Sequence, residues 1–372
     1  MVLSNTTVAK PKIHFLFIDG LRGVGAFWVV LYHADPDGRI SQLTSTLPEW
    51  FVDIAFRWGS RGVAIFFVLS GFVMAYSLRN AKIDFNYFKN FAIKRFVRLS
   101  PPYYVSILVT LAFAFFASTA KGVAFEPMGQ PLSFQRFFAH LFYVQDIFNL
   151  QHIDDVYWTL CLEVQFYLVF FALLGLVQWL DNLSKLTWSR AAVFVPVAML
   201  TALFPLGAFG TDNPRPTIIL PLLYSFLLGV FAYWTWRENL KPLWFYLYCG
   251  VLLPAGIINF SGFAITSVIV AILLLEVARA NRIQGWLSWG WLQFLGKISY
   301  SLYLNHVFII GAAYFIGFQL LGRNIWSEFI CLMAAISISI AFATLMWHLV
   351  EKPSIKWSKN IKIVNTNQAL EK

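Results

Sequence analysis

Residues 17–38 read FIDGLRGVGAFWVVLYHADPDG, a run of apolar and aromatic side chains that is long enough to enter a membrane. A helix needs about 20 mainly apolar residues to cross the hydrocarbon core of a bilayer. The same run nevertheless carries Asp19, Arg22 and His33. Ionisable side chains are costly inside a transmembrane segment, so they indicate either the ends of the span or a function in the interior of a helix bundle.

The composition places the whole chain in a membrane. Of its 372 residues 59% are hydrophobic and only 12% are charged, and its mean hydropathy is +0.66. A water-soluble domain of this size could not solvate so much apolar surface. The net charge is +10. The basic residues lie between hydrophobic blocks rather than along one polar face, which argues against nucleic acid as a partner. The three cysteines show no metal-ligand spacing, so we expect no metal site.

The pattern predicts an all-α fold, a polytopic bundle of about ten transmembrane helices. The predicted spans lie near 15–33, 62–79, 98–120, 156–180, 190–208, 217–236, 243–259, 262–278, 296–318 and 326–349. Residues 1–372 then form a single membrane-embedded domain. Short tails at about 1–14 and 352–372 flank it.

The basic residues predict the orientation of the bundle. With the N-terminus in the cytoplasm, 21 of the 28 lysines and arginines lie on the inner side and 7 on the outer side. This asymmetry is the one that membrane insertion favours, so we expect both termini to be cytoplasmic in a multi-pass plasma (inner) membrane protein. The longest outer segments, about 34–61 and 121–155, are too short for a soluble domain and predict a lid or surface helices.

Arg22 and His33 share one face of the first span. They are separated by 11 residues, which is about 20° more than three full turns and about 16.5 Å along the helix axis. Arg22 would lie near the inner end of this helix face and His33 near its outer end. Taken singly they could be a snorkelling arginine and an interfacial histidine, but the shared face favours a function in the bundle interior.

The third predicted span opens with KRFVRLSPPYY, residues 94–104. Arg95 and Arg98 lie three residues apart and would present two guanidinium groups on one helix face, suited to bidentate contacts with phosphate. The alternative is ordinary positive-inside topology, with anionic lipid headgroups beside the arginines. Pro101 and Pro102 predict an interruption of the helix just beyond them.

Two further ionisable residues lie within predicted spans. Glu163 in YWTLCLEVQFYL, residues 157–168, would lie roughly 10 Å below the outer surface, either as a structural hydrogen-bonding group or with a part in the chemistry. His306 is open to the same two interpretations. Ser70 is interpreted as a small packing residue. The remaining histidines, near span ends or in loops, support no hypothesis: His140, His152 and His348.

Six segments together resemble the acyltransferase-3 family of integral membrane acyltransferases, and the resemblance covers almost the whole chain. They follow the order of the family: FIDGLRGVGAFWVVLYH, FFVLSGFVMAYS, RFVRLSPPYYV, YWTLCLEVQFYL, GKISYSLYLNH and VEKP. The spacings of hydrolase elbows, P-loops and zinc proteases are absent from the sequence. The resemblance is carried by the six segments in register rather than by any one of them.

The resemblance implies transfer of an acyl group, usually acetyl from acetyl-CoA, to a hydroxyl of a carbohydrate, glycolipid or related cell-envelope acceptor. The functional pair of the family corresponds to Arg22 and His33, and its arginine pair to Arg95 and Arg98. The sequence departs from the family at Ala64 and Ile65, where many members have an acidic residue. Many members also carry a soluble esterase-like domain, which we do not expect in this chain.

With that resemblance, the spacing of Arg22 and His33 acquires a chemical interpretation. The pantetheine arm of coenzyme A is on the order of 15 to 20 Å long, comparable with the separation of the two residues. The arginines would hold the phosphates at the inner side, while His33 would act as general base on an acceptor hydroxyl. Glu163 could orient or polarise His33, and no metal is required.

Two other classes of function remain open at this point. One is a transporter or flippase for an anionic lipid-linked sugar, although the paired interrupted helices of many transporters are not found in the sequence. The other is a structural membrane scaffold, which does not explain a charged stripe along a helix.

Overall fold

A computed structural model describes residues 15–184, 188–209 and 215–361 of the chain. Every element in these ranges is helical and none is a strand, which confirms the predicted all-α class. Fourteen α-helices follow one another: α1 Leu16–Ala34, α2 Ser41–Thr44, α3 Glu49–Val52, α4 Gly62–Ser77, α5 Phe85–Lys121, α6 Phe134–Leu141, α7 Trp158–Ser184, α8 Ser189–Ala202, α9 Leu223–Trp236, α10 Pro242–Ile258, α11 Gly262–Arg279, α12 Gly290–Leu321, α13 Ile325–Met346 and α14 Lys352–Asn360.

Each of the ten predicted spans corresponds to one of these helices, and six of them are long and apolar enough to cross a membrane. The six are Gly59–Ser77, Phe85–Lys121, Trp158–Leu183, Gly262–Arg279, Gly290–Leu321 and Ile325–Asn360. Three others are shorter apolar helices, Ser189–Ala202, Leu220–Trp236 and Pro242–Ile258. The total of ten spans and their orientation stay predictions. Five of the basic residues behind that orientation lie outside the described residues: Lys10, Lys12, Lys185, Lys362 and Lys372.

Glycines allow two pairs of helices to approach closely at the centre of the bundle. Where α1 crosses α12, a Cβ atom on Gly296 would lie 2.0 Å from the carbonyl oxygen of Asp19. Where α4 crosses α9, a Cβ atom on Gly71 would lie 1.9 Å from the carbonyl oxygen of Phe226. Helices in membranes associate through such small residues, because lipid offers no hydrophobic drive for them to pack together. These contacts hold α1 and its charged face against α12.

Helix α5 differs from the prediction in its beginning and in its continuity. It begins at Phe85, capped by the side chain of Asp84, which accepts a hydrogen bond from the Tyr87 backbone at 2.7 Å. It then runs without a break through Pro101 and Pro102 to Lys121, so the predicted interruption is wrong. Just before the prolines, the Tyr300 hydroxyl of α12 donates to the Leu99 carbonyl at 2.9 Å and joins α5 to α12.

The segment between α5 and α7 is built around one buried arginine. Arg136 on α6 is 3% exposed, and its guanidinium donates to backbone carbonyls on both sides of α6, including Pro127 at 2.8 Å and Gln151 at 2.7 Å. A buried cation requires this degree of hydrogen bonding. The segment therefore has a defined conformation that includes the short helix α6. Through the bond to Gln151, Arg136 also positions the residues that lead into α7.

Candidate active site

Four of the five predicted site residues line one cavity between the helices. Arg22 comes from α1, Arg95 and Arg98 from α5, and Glu163 from α7. The first cavity, as we call it, has an empty volume of about 1010 Å³ with its open mouth included. It brings together side chains that are separated by up to 141 positions in the sequence.

The three arginines give the first cavity a surplus of positive charge. Arg22 donates through Nε to the Ser299 hydroxyl at 3.3 Å, and the Arg95 guanidinium lies 5.0 Å from the centre of the Tyr167 ring. Among the described residues, none of the three arginines forms an ion pair with a carboxylate. Arg98 is repelled by both other arginines and attracted by the carboxylate of Glu351, which lines the same cavity. Such a cluster is suited to a polyanionic ligand.

Glu163 lies with the arginines rather than with His33. Its carboxylate accepts hydrogen bonds from the Ser70 hydroxyl at 3.3 Å and from the Tyr167 hydroxyl. Ser70 therefore does more than pack, since it bonds to this carboxylate. No hydrogen bond or ion pair within the described ranges joins Glu163 to His33. The predicted influence of Glu163 on His33 would have to act from the neighbouring cavity.

His33 lines a second cavity, at the other end of α1. The walls of this second cavity come from Tyr32 and His33 of α1, Arg61, and three segments that lead into helices, at Asp155, Arg215 and Ser261. Its empty volume is about 1070 Å³ with the mouth included. The face shared by Arg22 and His33 thus extends from one cavity to the next, as their spacing in the sequence predicts.

An ion pair closes one side of the second cavity. Both oxygens of Asp155 accept hydrogen bonds from the Arg215 guanidinium, at 2.5 and 2.7 Å, and Oδ2 of Asp155 lies 3.7 Å from Nε2 of His33. Burial alone would raise the pKa of Asp155, but the contacts with His33 and Arg215 outweigh it and hold that pKa well below its usual range. Asp155 is therefore an ionised group beside the His33 ring.

A second histidine determines which nitrogen of His33 carries the proton. Nδ1 of His306 lies 3.0 Å from the Leu302 carbonyl, so it carries a proton and leaves Nε2 of His306 as an acceptor. That Nε2 lies 3.1 Å from Nδ1 of His33, which is also 3.0 Å from the Val29 carbonyl. Both neighbours of His33 Nδ1 are acceptors, so the proton belongs on Nδ1. In this tautomer Nε2 of His33, which lies 3.7 Å from Asp155, carries the lone pair.

The two cavities meet at a wall of two side chains. Val63 and Tyr303 line both of them. The Tyr303 hydroxyl is fixed by Thr159 at 2.8 Å and by the Val156 carbonyl at 3.2 Å. A ligand that extends from Arg22 to His33 would pass this wall, which we call the Tyr303 wall.

Asp155, Arg215 and Tyr303 were missed in the sequence, and His306 was left between two interpretations. Asp155 could have been noticed, because it and Asp154 are two adjacent acids directly before the fourth predicted span. Arg215 gave no signal, since it precedes a span like any other outer basic residue. Of the histidines left without a role, His140 donates to the Arg136 carbonyl at 2.7 Å, and burial lowers its pKa to about 4. It is a neutral part of the segment that contains α6.

Known proteins can now be compared with this arrangement. The sequence profile of a family described as an acyltransferase domain matches residues 15–347. The chain belongs to the acyltransferase-3 family. The match extends from α1 through α13 and includes the second cavity and all of the first except Glu351 and Ile355.

Relatives within the acyltransferase-3 family are named as O-acetyltransferases. The chain is 24% identical to the putative peptidoglycan O-acetyltransferase YrhL of Bacillus subtilis, over 90% of this chain and 54% of that protein. It is 25% identical to the peptidoglycan O-acetyltransferase OatA of Listeria monocytogenes, over 90% and 55%, and 23% identical to a putative O-acetyltransferase of Staphylococcus aureus, over 94% and 58%. The chain spans about half the length of these relatives. No solved structure matches it.

Proposed function

We propose that this protein is a membrane O-acyltransferase that moves an acetyl group from cytoplasmic acetyl-CoA to a hydroxyl of a cell-envelope carbohydrate or lipid-linked glycan. One observation carries the proposal. Arg22 and His33 lie on one face of α1 and line two cavities that meet at the Tyr303 wall. The membership of the family and the names of its relatives support the reaction class and a carbohydrate acceptor.

The first cavity is the proposed donor site. Coenzyme A carries several phosphate charges at one end of a long arm and the thioester at the other. Arg95 and Arg98 would bind the phosphates through charge-assisted hydrogen bonds, and Arg22 would assist from α1. The three arginines form no ion pair with a carboxylate among the described residues, and the buried Glu351 in the same cavity offsets only part of the charge of Arg22 and Arg98. A bound polyanion would supply the remaining counter-charge. Glu163 would support this cavity and influence His33 from it.

The second cavity is the proposed place of reaction. His33 Nε2 would take the proton from an acceptor hydroxyl as its oxygen attacks the thioester carbonyl. The C–S bond then breaks, and the thiolate of coenzyme A leaves with that proton, which yields an ester and a thiol. Asp155 would stabilise the transient imidazolium, and His306 would hold the ring in the required tautomer. No step in this scheme requires a metal. Within the described ranges no group of three or more metal-ligating side chains is found.

The proposed direction of transfer requires the first cavity to face the cytoplasm. Single cysteines at Ser45 and Asn80, both exposed, test this requirement, because the three native cysteines are buried. In intact cells an impermeant thiol reagent should label Ser45→Cys and spare Asn80→Cys. The opposite pattern would reverse the orientation.

The reaction itself is tested with purified protein and acetyl-CoA labelled in the acetyl group. The expected result is a labelled ester on an envelope glycan or on a soluble saccharide acceptor, together with release of free coenzyme A. Movement of an unmodified lipid-linked sugar across vesicles without ester formation would instead identify a flippase, which no finding here favours. Mass spectrometry of envelope glycans from cells with and without the gene would identify the acceptor.

A further inference from the structure

The second cavity contains two arginines in different electrostatic situations. Arg215 is neutralised by its two hydrogen bonds to Asp155. Arg61 lines the same cavity, yet among the described residues its guanidinium makes no hydrogen bond and no ion pair. Asp53 attracts Arg61 from a distance, but its carboxylate is engaged by Arg57 at 2.7 Å. The cavity therefore contains one arginine whose guanidinium has no hydrogen-bond or ion-pair partner within the described ranges.

The position of Arg61 is defined by its packing. Its guanidinium lies 4.3 Å from the centre of the Trp58 ring, an arrangement that holds an arginine without using its donors. It also lies against Gly262, where a Cβ atom would be only 2.2 Å from Nε. A side chain at position 262 would displace the guanidinium from this place. An arginine whose donors are unused, yet whose place is fixed, is prepared for an external acceptor.

Arg61 lies beside the beginning of a helix. Gly262, against which its guanidinium packs, is the first residue of α11, an 18-residue helix whose N-terminus carries a partial positive charge. A guanidinium and the start of a helix repel each other unless an anion lies between or beside them. A half-buried cation in such a place is more strongly attracted to an anion than one in open water.

We propose that Arg61 binds an anionic group of the acceptor, so that the substrate of the second cavity is an acidic saccharide that carries a carboxylate or a phosphate. The inference rests on the proposed function, since it gives the acceptor one anchor at Arg61 while a hydroxyl reaches His33 in the same cavity. A guanidinium binds either anion with two parallel hydrogen bonds. A neutral sugar would leave the charge of Arg61 uncompensated.

Three matched probes distinguish the two anions from a neutral sugar: methyl glucoside, methyl glucuronide and methyl glucoside 6-phosphate. Binding of each to the purified full chain is measured by calorimetry, and transfer from labelled acetyl-CoA is measured alongside. We expect the wild-type protein to bind at least one anionic probe about tenfold or more tightly than the neutral one. The preferred probe then tells whether the acceptor carries a carboxylate or a phosphate.

Three variants assign the preference for an anionic probe to Arg61. Arg61→Gln should remove this preference, whereas Arg323→Gln makes the same chemical change at an exposed arginine outside the second cavity and should leave it intact. Arg61→Lys keeps the charge and should retain part of it. If Arg61→Gln does not fold, sulfate competition on the wild-type protein replaces it, and sulfate should weaken binding of the anionic probe only.

The outcomes separate this inference from the proposed function. Equal binding of all three probes, or a preference that survives in Arg61→Gln or under sulfate, would overturn the anion site. Failure to transfer acetyl to any acceptor would overturn the proposed reaction instead. In that case the binding measurements still decide whether Arg61 selects an anion.

Discussion

The two cavities are built in different ways although they lie side by side along α1. The charged side chains of the first cavity come from within long helices, such as Arg95 and Arg98 of α5 and Glu163 of α7. Those of the second come largely from places where the chain enters or leaves a helix, such as Arg61, Asp155 and Arg215. The first is therefore held by helix packing, and the second depends on the connecting segments.

This difference corresponds to what each cavity is proposed to bind. A donor that is the same compound in every reaction needs a fixed charge pattern, which helix interiors provide. An acceptor that varies among proteins is better matched by connecting segments, because they tolerate changes in sequence without loss of the fold. The difference also implies that a variant in either cavity should alter one kinetic quantity and leave the other nearly unchanged.

The largest expected effect is loss of the base in the second cavity. His33→Ala should lower the rate of acetyl transfer by about 10² to 10⁴, while the affinity for acetyl-CoA stays close to that of the wild type. Single-turnover transfer and calorimetry on the same preparation measure both quantities. His348→Ala, which removes an exposed histidine, is the control. A His33 variant that also failed to bind the donor would show that His33 holds the donor or the structure.

The next effect concerns the arginines of the first cavity. Replacing Arg95 and Arg98 with Ala should weaken acetyl-CoA binding by roughly 1.5 to 3 kcal/mol for each charge-assisted hydrogen bond that is removed, with a much smaller change in rate at saturating donor. Arg22→Ala should fall between this variant and His33→Ala, since Arg22 shares the helix face of His33. Calorimetry decides, and Lys89→Ala on the exposed face of α5 should have no effect. Unchanged affinity would return the two arginines to a purely topological role.

A smaller effect is expected for Glu163→Gln, which removes the charge and keeps the shape. If the carboxylate influences His33 from the first cavity, transfer at saturating donor should slow, by less than in His33→Ala, with the fold intact. Rapid-quench measurements and the thermal unfolding midpoint test both parts. Wild-type transfer in a well-folded variant would make Glu163 a structural partner of Ser70 and Tyr167 only.

The smallest effect is one of stability with pH, and it concerns Asp154. Burial raises the pKa of this carboxyl to about 7, so the unfolded chain binds fewer protons there than the folded one between about pH 4 and 7. Its ionisation therefore costs stability progressively over that range. Asp154→Asn cannot ionise and should raise the unfolding midpoint at pH 8 but hardly at pH 4. The exposed Asp37→Asn should show no such trend, and a gain independent of pH would exclude this explanation.

The sequence predicted the helices well, because they depend on local patterns. Apolar run lengths located the helices, and the spacing of Arg22 and His33 is a property of one helix. The beginning of α5 was misjudged by thirteen residues, since a charged stretch before Arg98 resembled a loop, whereas Asp84 caps a helix there. Such capping is easily obscured when lysines and arginines dominate a segment.

The second cavity was predicted only through His33, because its other residues meet by tertiary packing. Asp155 and Arg215 are 60 residues apart in the sequence, and His306 is 273 residues from His33. No periodicity connects positions on different helices. Glu163 was proposed as the partner of His33 because it is an acid within a predicted span. The carboxylate that lies beside His33 is that of Asp155, just before the same span.

The Tyr303 wall has a consequence for energy conservation under the proposed function. Since Val63 and Tyr303 line both cavities, only the acetyl group and the end of the arm would need to pass the wall, and the nucleotide would stay in the cavity proposed to face the cytoplasm. The same two side chains would also have to hold back water and protons. A loose wall would allow thioester hydrolysis without ester formation and would dissipate the proton gradient. The hydrogen bonds from Tyr303 to Thr159 and Val156 would then determine how much acetyl-CoA each envelope ester consumes.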